Sequence, residues 1–320
     1  MSEKYVIGID LGGTNTVIGL VDVKGHILAK DDSIKTQAHP DIEEYTDSIA
    51  AVINKLAEEN GCTGKLEGVG IGAPMANYYT GEIVNAANLP WKGIVPLGWL
   101  IEKKTGLTTK VTNDANAAAI GEMKYGVAQG MKDFVYITLG TGVGSGIVAN
   151  GQLIYGHDGF AGELGHVIVK RNNGRLCGCG RTGCLEAYCS ATGVARTARE
   201  FLEIRKDDSM LRELPIEDIT SKDVFDAANA GDQLAKDVFE YTGKILGEAF
   251  CDFTVFSSPK AIILFGGLAK SGELLLKPLR NAMEKNMMGI FKGKVQILLS
   301  ELKEADAAVL GASALGWEAK

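Results

Sequence analysis

One histidine and three cysteines have the spacing of metal ligands. His166 is followed by Cys177, Cys179 and Cys184, and glycines between the cysteines allow the chain to turn around an ion. One imidazole and three thiolates form the four-ligand tetrahedral set that Zn²⁺ takes in structural sites, with no position left open for water. The spacing therefore favours a structural zinc ion over a loop of free thiols, and Cys189 is an alternative ligand.

Two carboxylates lie beside these ligands in the sequence. Glu163 precedes His166 by three residues, and Glu186 follows Cys184 by two. If zinc holds one ring nitrogen of His166, the other nitrogen remains available for a hydrogen bond. A carboxylate beside an imidazole N–H suits sugar hydroxyl groups, which both donate and accept hydrogen bonds. The alternative is that both glutamates are solvated surface charges.

A further carboxylate follows a predicted strand. Asn113 and Asp114 come directly after the strand 110–112 and open an alanine-rich helix predicted over 114–125. A carboxylate at this position can act as a general base by accepting the proton of an attacking hydroxyl group. The alternative is that Asp114 only caps the helix.

The loop that contains Asn85, Asn88 and Trp91 is a second candidate for a carbohydrate contact. Its amide side chains can hydrogen-bond hydroxyl groups, and its aromatic ring can pack against a sugar. Composition alone supports this interpretation.

Two glycine-rich loops occur in similar settings and predict an internal repeat. Residues 10–16 and 140–144 each lie between two apolar segments, and a hairpin turn signal follows each second segment. Glycine N–H groups and threonine or asparagine side chains can hold phosphate oxygens. One such loop is equally well explained as a hairpin turn, but two of them predict a clamp for a polyphosphate. The predicted phosphate-binding residues are Gly12, Gly13, Thr14, Asn15, Thr141 and Gly142.

Two more features fit a nucleotide. Asp10 ends a buried strand, where a carboxylate can position Mg²⁺ through water. Gly266 and Gly267 follow an apolar strand and can let an adenine ring lie against the backbone, although tight packing of strand on helix explains the pair better when it is taken alone. The G-x-G-x-x-G match at 178–183 follows no strand and contains a cysteine, so we reject it as a dinucleotide site, and no P-loop motif occurs.

Composition restricts the class of protein. The chain has 320 residues with 33 Lys and Arg against 40 Asp and Glu, a formal charge of −7, and 46% hydrophobic residues, as expected for two globular domains. The acidic balance argues against nucleic acid as a partner. No apolar run is long enough to predict a membrane span, the N-terminus lacks a secretory signal, and the clustered cysteines suit a cytoplasmic protein.

The elements that must position these residues alternate between strands and helices, which predicts an α/β fold. The charged stretch 203–222 is expected to be an exposed connection. The predicted strands are 5–9, 17–23, 27–28, 66–72, 110–112, 134–139, 146–149, 261–265 and 295–299, and the predicted helices are 41–60, 114–125, 187–206, 222–230, 232–256, 273–287 and 306–319.

Taken together, these motifs resemble the ROK family of sugar kinases, within the actin/Hsp70/hexokinase superfamily. The similarity covers nearly the whole chain. Residues 10–15 resemble the first phosphate loop of the family, residues 139–146 the second, and residues 265–267 the adenosine segment. Residues 162–166, followed by 177–186, resemble the family signature with its zinc knuckle.

The resemblance implies ATP-dependent phosphorylation of a hexose at its 6-hydroxyl group, with Asp114 as catalytic base. It implies two ribonuclease-H-like domains flanking a cleft, a small one over 1–114 with a C-terminal helix at about 305–320, and a large one over 115–304 that carries the zinc knuckle. The segment 88–91 is most similar to glucokinase members, and a homodimer or homotetramer is the implied assembly. The implied cofactors are ATP, Mg²⁺ and structural Zn²⁺; the implied sugar-binding residues are Asn88, Asn113, Glu163, His166 and Glu186; the implied nucleotide-binding residues are Gly13, Thr14, Thr141, Gly142 and Gly267; and His166 is also an implied zinc ligand.

Three alternatives remain. A kinase for another hexose, such as N-acetylglucosamine, N-acetylmannosamine, fructose or allose, fits the same motifs, since relatives use these sugars. Regulators of the family carry a helix-turn-helix domain before the first phosphate loop, whereas nine residues precede Asp10 here, which favours the enzyme. A non-catalytic ATPase switch of the actin/Hsp70 type is disfavoured by the zinc knuckle beside Glu163.

Overall fold

The computed structural model describes residues 3–319, apart from the side chains of residues 304 and 305. Strands and helices alternate along it, which confirms the predicted α/β class, and no helix in this part of the chain is long and apolar enough to cross a membrane. The strands are β1 (Tyr5–Leu11), β2 (Asn15–Asp22), β3 (Ile27–Lys35), β4 (Leu66–Gly72), β5 (Ile83–Val84), β6 (Ile94–Val95), β7 (Thr109–Thr112), β8 (Phe134–Leu139), β9 (Val143–Ala149), β10 (Gln152–Leu153), β11 (Ala261–Phe265) and β12 (Gln296–Leu299). The α-helices are α1 (Ile42–Glu59), α2 (Leu97–Thr105), α3 (Asp114–Tyr125), α4 (Glu186–Cys189), α5 (Ala191–Ile204), α6 (Ser221–Asn229), α7 (Gln233–Ser257), α8 (Glu273–Asn286) and α9 (Glu304–Gly316).

Two five-stranded sheets share one strand order. The first has the order β3-β2-β1-β4-β7, and the second has the order β10-β9-β8-β11-β12. In the first sheet, β1 is antiparallel to β2 and parallel to β4, and β4 is parallel to β7. In the second, β8, β11 and β12 are parallel in the same way. The internal repeat predicted from the two glycine loops is therefore confirmed by the strand order.

The chain divides into two compact units. The first unit comprises Met1–Lys132, Gly146–Gly162 and Ser300–Lys320, and the second comprises Asp133–Ser145 and Glu163–Leu299. The predicted domains were 1–114 with 305–320, and 115–304. Helix α3 and residues 146–162 therefore lie in the first unit and not, as predicted, in the second.

In the first unit, alternate residues of β1 face different helices. Ile7 belongs to the buried cluster that contains Tyr45 of α1, whereas Val6 packs with Val309 of α9. Because successive side chains of a strand point to opposite faces, Asp10 points to the same face as Val6. The strand therefore sends its one carboxylate to the side of the sheet covered by α9.

Helix α9 packs directly on the backbone of the first sheet. A Cβ atom added at Gly8 would overlap the carbonyl oxygen of Val309, and one added at Gly70 would overlap that of Ala312. Glycine is needed at both positions because the helix backbone occupies the space of a side chain. This close approach fixes the first sheet against α9.

In the second unit, α7 and α8 make a similarly close contact. A Cβ atom added at Gly243 of α7 would lie 2.6 Å from Cγ of Pro278 and 2.8 Å from the carbonyl oxygen of Leu275. The buried cluster of this unit includes Phe239 and Phe250 of α7. The long helix α7 is thus the centre of the second core.

Some elements differ from those predicted. Helix α2 was not predicted; it ends at Gly106, whose left-handed conformation stops the helix. The predicted helix 187–206 is interrupted at Ser190, whose side chain accepts a hydrogen bond from the backbone N–H of Gly193 and so begins α5. The stretch 203–222 is not simply exposed, because Leu211 and Ile219 are buried in the second core.

Replacing Gly70 by alanine is expected to lower the free energy of unfolding by roughly 2–3 kcal/mol, because the new methyl group overlaps the backbone of α9. Urea denaturation measures the change. Gly289→Ala is the matched control, since among the described residues only the adjoining backbone lies within 4 Å of the added Cβ there. An unchanged midpoint for Gly70→Ala would contradict the close packing of α9.

Candidate active site

Two carboxylates lie at one edge of the first sheet. Asp10, Gly72 and Thr112 lie side by side in the register of β1, β4 and β7, at the carboxyl ends of these parallel strands. Asp114 follows directly on Thr112. A Cβ atom at Gly72 would lie 3.6 Å from Cα of Asp114 and 3.2 Å from Cβ of Ala117, so the absence of a side chain lets α3 begin close to the strand ends.

The start of α3 uses Asn113, and not Asp114, as its N-cap. The side-chain oxygen of Asn113 accepts a hydrogen bond of 2.9 Å from the backbone N–H of Ala115. Asp114 is the first helical residue, and its Oδ1 accepts from the same N–H at 2.7 Å. The interpretation of Asp114 as a simple cap is therefore wrong, and its position beside a helix N-terminus favours a carboxylate.

Both carboxyl groups hold their protons more tightly than usual. Burial and the nearby charge of Asp114 raise the pKa of Asp10 to about 6. Part of the surface of Asp114 is accessible, yet enough protein surrounds its carboxyl group that desolvation raises its pKa, against the hydrogen bond from Ala115. A carboxylate with a raised pKa is a stronger base, as proton abstraction requires.

The first glycine loop is held by a short segment after β3. The hydroxyl of Thr36 donates to the carbonyl oxygen of Gly12 at 2.9 Å, and Gln37 Nε2 donates to that of Gly13 at 2.6 Å. Thr14 and Asn15 are exposed, as a ligand-binding loop requires. Sequence reasoning missed Thr36 and Gln37, because no motif marks residues that bond a loop from a distant position.

The loop 85–92 adjoins the glycine loop and contains both a candidate site residue and a structural one. Asn88 is exposed, and its amide lies beside Gly13, where an added Cβ would be 3.1 Å from Asn88 Nδ2. Trp91 is 6% exposed, packs on Tyr45 with ring centroids 4.5 Å apart, and donates from Nε1 to the carbonyl oxygen of His39. The suggestion that Trp91 contacts carbohydrate is thus not supported, since the ring lies in the core.

In the second unit, Glu186 is bonded to the second glycine loop. Its Oε2 accepts a hydrogen bond of 3.0 Å from the backbone N–H of Val143, and a Cβ atom at Gly142 would overlap this oxygen. On the other side of the loop, Thr192 of α5 donates to the carbonyl oxygen of Thr141 at 2.9 Å. The loop 140–144 is therefore held by a carboxylate and by the first turn of α5; sequence reasoning missed Thr192.

The glycine pair after β11 adjoins the same loop. Gly266 has a φ of 98°, and an added Cβ would lie 2.6 Å from the carbonyl oxygen of Leu139, the last residue of β8. Only glycine accommodates both restrictions. At Gly267, by contrast, an added Cβ meets no described atom within 4 Å, so the backbone there is accessible to a flat ligand.

The four predicted metal ligands meet at one point of the second unit. One ligand atom from each of His166, Cys177, Cys179 and Cys184 lies within 4.8 Å of the others. His166 Nδ1 is 3.7 Å from Cys177 Sγ, and the Sγ atoms of Cys179 and Cys184 are 3.6 Å apart. Tetrahedral zinc, with bonds of about 2.0 Å to nitrogen and 2.3 Å to sulfur, requires ligand separations of about 3.5–3.8 Å. The cluster therefore fits the ion, and Cys189 is not part of it.

Glu163 lies on the other side of the imidazole. Glu163 Oε2 is 4.0 Å from His166 Nε2, while Nδ1 faces the cysteines. The backbone N–H of Leu164 donates to Ser145 Oγ at 3.0 Å, and Gly165 has no room for a side chain against the carbonyl of Val143. The segment 163–166 is thus held on the second glycine loop, with Glu163 exposed.

Arg175 fixes the cysteine loop and was not found from the sequence. Its guanidinium is buried, ion-pairs with Glu200 at 2.5 Å and lies 4.5 Å above the ring of Tyr188. Its backbone N–H donates to the hydroxyl of Tyr188 at 2.8 Å. This residue joins the start of the cysteine loop to α4 and α5. A lone arginine in a loop gives no sequence signal for such a role.

Asp10→Asn is expected to stabilise the free protein at neutral pH by about 1–3 kcal/mol. A pKa of about 6 means that the folded state binds the proton more tightly than the unfolded chain. Wild type therefore loses stability as the pH rises from about 4 through 6, whereas asparagine cannot ionise.

Chemical denaturation in EDTA at pH 7.5 and 4.5 measures this difference. The gain from Asp10→Asn should be present at pH 7.5 and small at pH 4.5. Asp32→Asn, at an exposed position of β3, should change stability at neither pH. A variant less stable than wild type at pH 7.5 would contradict the assigned burial of charge.

Comparison with known proteins identifies the family of this chain. The sequence pattern of the ROK family matches residues 6–319. A glucokinase of Halalkalibacterium halodurans is 37% identical over 100% of this chain and 96% of its own, and a glucokinase of Thermotoga maritima is 36% identical over 98% of both.

A solved structure extends this similarity to the fold. The ROK family glucokinase of Streptomyces griseus, in complex with glucose and AMPPNP, superposes with a TM-score of 0.78 at 34% identity, covering 98% of this chain and 99% of its own. The similarity confirms the predicted fold class. The chain belongs to the ROK family.

Proposed function

We propose that this protein is an ATP-dependent hexokinase that phosphorylates glucose at its 6-hydroxyl group, giving glucose 6-phosphate and ADP. The observation that carries the proposal is the similarity, over the whole chain, to glucokinases at 36–37% identity. The Streptomyces griseus relative binds glucose and an ATP analogue, which supports both substrates.

Asp114 is proposed as the general base. Its carboxylate accepts the proton of the 6-hydroxyl while the oxygen bonds to the γ-phosphorus and the bond to ADP breaks. Its position at the start of α3 and its raised pKa support this role. The side chain of the neighbouring Asn113 is held by its bond to the N–H of Ala115, and its amide NH₂ group is proposed to contact the sugar.

The nucleotide is proposed to bind through backbone groups. Neither glycine loop contains lysine or arginine, so N–H groups and the hydroxyls of Thr14 and Thr141 would meet the phosphate charge. Asp10 would hold hydrated Mg²⁺, whose charge lessens the cost of ionising that carboxyl. Mg²⁺ supplies neutralisation of the developing phosphate charge. Gly266 and Gly267 would lie against the adenosine.

The hexose is proposed to bind Asn88, Asn113, Glu163, His166 and Glu186. Glu163 is exposed and lies beside Nε2 of His166, the ring nitrogen directed away from the cysteines. A carboxylate and a ring nitrogen so placed suit two neighbouring hydroxyl groups of a sugar. Glu186 already accepts from the backbone N–H of Val143, yet carboxylate oxygens can accept more than one hydrogen bond. It can therefore hold the loop and accept from a sugar hydroxyl.

We propose that His166, Cys177, Cys179 and Cys184 hold a structural Zn²⁺. All four positions are filled by protein, so the ion would supply rigidity and no chemistry. It would fix the ring of His166 and thereby the place of its second nitrogen.

The remaining predictions concern partners and setting. A cytoplasmic location, assembly into a dimer or tetramer and the absence of a nucleic acid partner stay predictions. Another hexose as substrate is the second candidate, because the site residues are common to both. Steady-state assays of ADP release over a panel of glucose, N-acetylglucosamine, N-acetylmannosamine, fructose and allose test it; glucose should give the highest kcat/KM.

Asp114→Asn is expected to lower kcat by about 10²–10⁴-fold with little change in the KM for glucose, because it removes the proton acceptor. Wild-type kcat should fall on the acid side, since protonating a base with a raised pKa inactivates it. Asp47→Asn, on the surface of α1, is the matched control. Retention of most turnover by folded Asp114→Asn would exclude this residue as the base.

Cys184→Ser is expected to lose bound zinc, to lower the melting temperature and to raise the KM for glucose, because His166 is no longer fixed. Elemental analysis of the wild type should give one zinc per chain. Cys62→Ser, a buried thiol of the other unit, should keep the zinc. Full zinc content in Cys184→Ser, or no zinc in wild type, would contradict the proposed zinc site.

A further inference from the structure

The carbonyl groups of the first glycine loop are bonded to one short segment. The carbonyl oxygen of Gly12 accepts from Thr36 Oγ1 at 2.9 Å, that of Gly13 from Gln37 Nε2 at 2.6 Å, and that of Thr14 from the backbone N–H of Thr36 at 2.9 Å. A loop that presents N–H groups to an anion must direct carbonyl groups elsewhere, and these need donors. Residues 36 and 37 supply three of them.

This segment is anchored in the core of the first unit. Thr36 and Thr16 are fully buried, and their hydroxyl oxygens are 3.0 Å apart, while Thr16 Oγ1 is 2.6 Å from the hydroxyl of Tyr45. Since Thr36 donates its single proton to Gly12, it must accept from Thr16, which in turn accepts from Tyr45. A chain of donors thus runs from α1 to the glycine loop and fixes Thr36.

Gln37 makes a second bond, to the sugar-site loop. Its Nε2 also donates to the carbonyl oxygen of Asn88 at 2.9 Å. Gly13 and Asn88 are themselves in close contact, since a Cβ at Gly13 would lie 3.1 Å from the carbonyl oxygen and from Nδ2 of Asn88. One amide nitrogen therefore holds a residue assigned to the nucleotide and a residue assigned to the sugar.

The chemistry of the bridge requires a primary amide. Two carbonyl oxygens need two N–H groups on one atom, which the NH₂ group of glutamine provides without charge. Glutamate of the same size would set an anionic oxygen against two carbonyl oxygens, and methionine would leave both carbonyls without this donor. The side chain itself is exposed, so it contributes little to the core.

We propose that Gln37 is a positioning residue that couples binding of the sugar to binding of the nucleotide. A ligand that orders the glycine loop also orders the backbone of Asn88 through the shared amide, so each substrate raises the affinity for the other. The inference rests on the proposed function, because it takes the two loops as the nucleotide and sugar contacts of one kinase.

The test is a binding cycle on the full chain. Calorimetry measures the Kd of AMPPNP with Mg²⁺, with and without saturating glucose, and the ratio of the two values is the coupling factor. The variants are Gln37→Met and Gln37→Glu, of which the first adds no charge near the phosphates. Gln129→Met is the matched control, since Gln129 is an exposed glutamine of the same unit. Its side-chain Nε2 donates one hydrogen bond, of 2.8 Å, to the carbonyl oxygen of Lys124.

Wild type and Gln129→Met should show a coupling factor above one. Both Gln37 variants lose two hydrogen bonds, so their coupling factor should be about tenfold lower than that of wild type, or equal to one. The KM for glucose should rise more than kcat falls, while Asp114 remains in place. A merely structural role would lower the melting temperature and leave the coupling factor as in wild type. That result, or a wild-type factor of one, overturns the inference.

Failure of the inference is distinct from failure of the proposed function. If wild type phosphorylates glucose and the Gln37 variants keep the wild-type coupling factor, the kinase assignment stands and the role of Gln37 is wrong. If wild type neither binds nor phosphorylates any hexose of the panel, both proposals are wrong.

Discussion

Ionising two carboxylates at one edge of a sheet is the physical requirement on which the first unit depends. Burial raises the pKa of both Asp10 and Asp114, and the charge of Asp114 raises the pKa of Asp10 further, so the rest of the fold must hold the ionised groups together against that preference. Parallel strands bring their ends to the same edge, Gly72 allows α3 to begin there, and the N-terminus of α3 offsets part of the charge. The packing of α9 on Gly70 keeps these strands in place.

The two glycine loops are supported by the same strategy with different residues. In the first unit, Thr36 and Gln37 supply donors to the loop carbonyls. In the second, Thr192 bonds a loop carbonyl while Glu186 accepts from a loop N–H. Because Glu186 follows the proposed zinc ligand Cys184 by two residues, rigidity at the cysteine cluster extends to the second loop. The repeated strand order therefore provides two equivalent places for a loop, and unrelated side chains adapt each one.

The sequence predicts the parts of the site that are contiguous in the chain. The glycine loops, the position of Asp114 after a strand and the Cys-x-Cys spacing each carry their meaning within a few residues, so the elements and the four-ligand cluster could be predicted. Long-range contacts could not. Gln37, Thr192 and Arg175 act on loops far away in sequence, and Trp91 looks like a ligand contact until its packing on Tyr45 is seen. The cap at Asn113 depends on a one-residue difference in where α3 begins.

The position of α9 has a consequence for the order of folding during synthesis. The second unit lies within residues 133–299, so all of its residues are synthesised before α9. The first unit begins with β1 but needs α9 to cover the face that carries Gly8 and Gly70. Although its strands leave the ribosome first, this unit cannot reach its native packing until α9 has been made, and until then the uncovered face of its sheet is open to a chaperone.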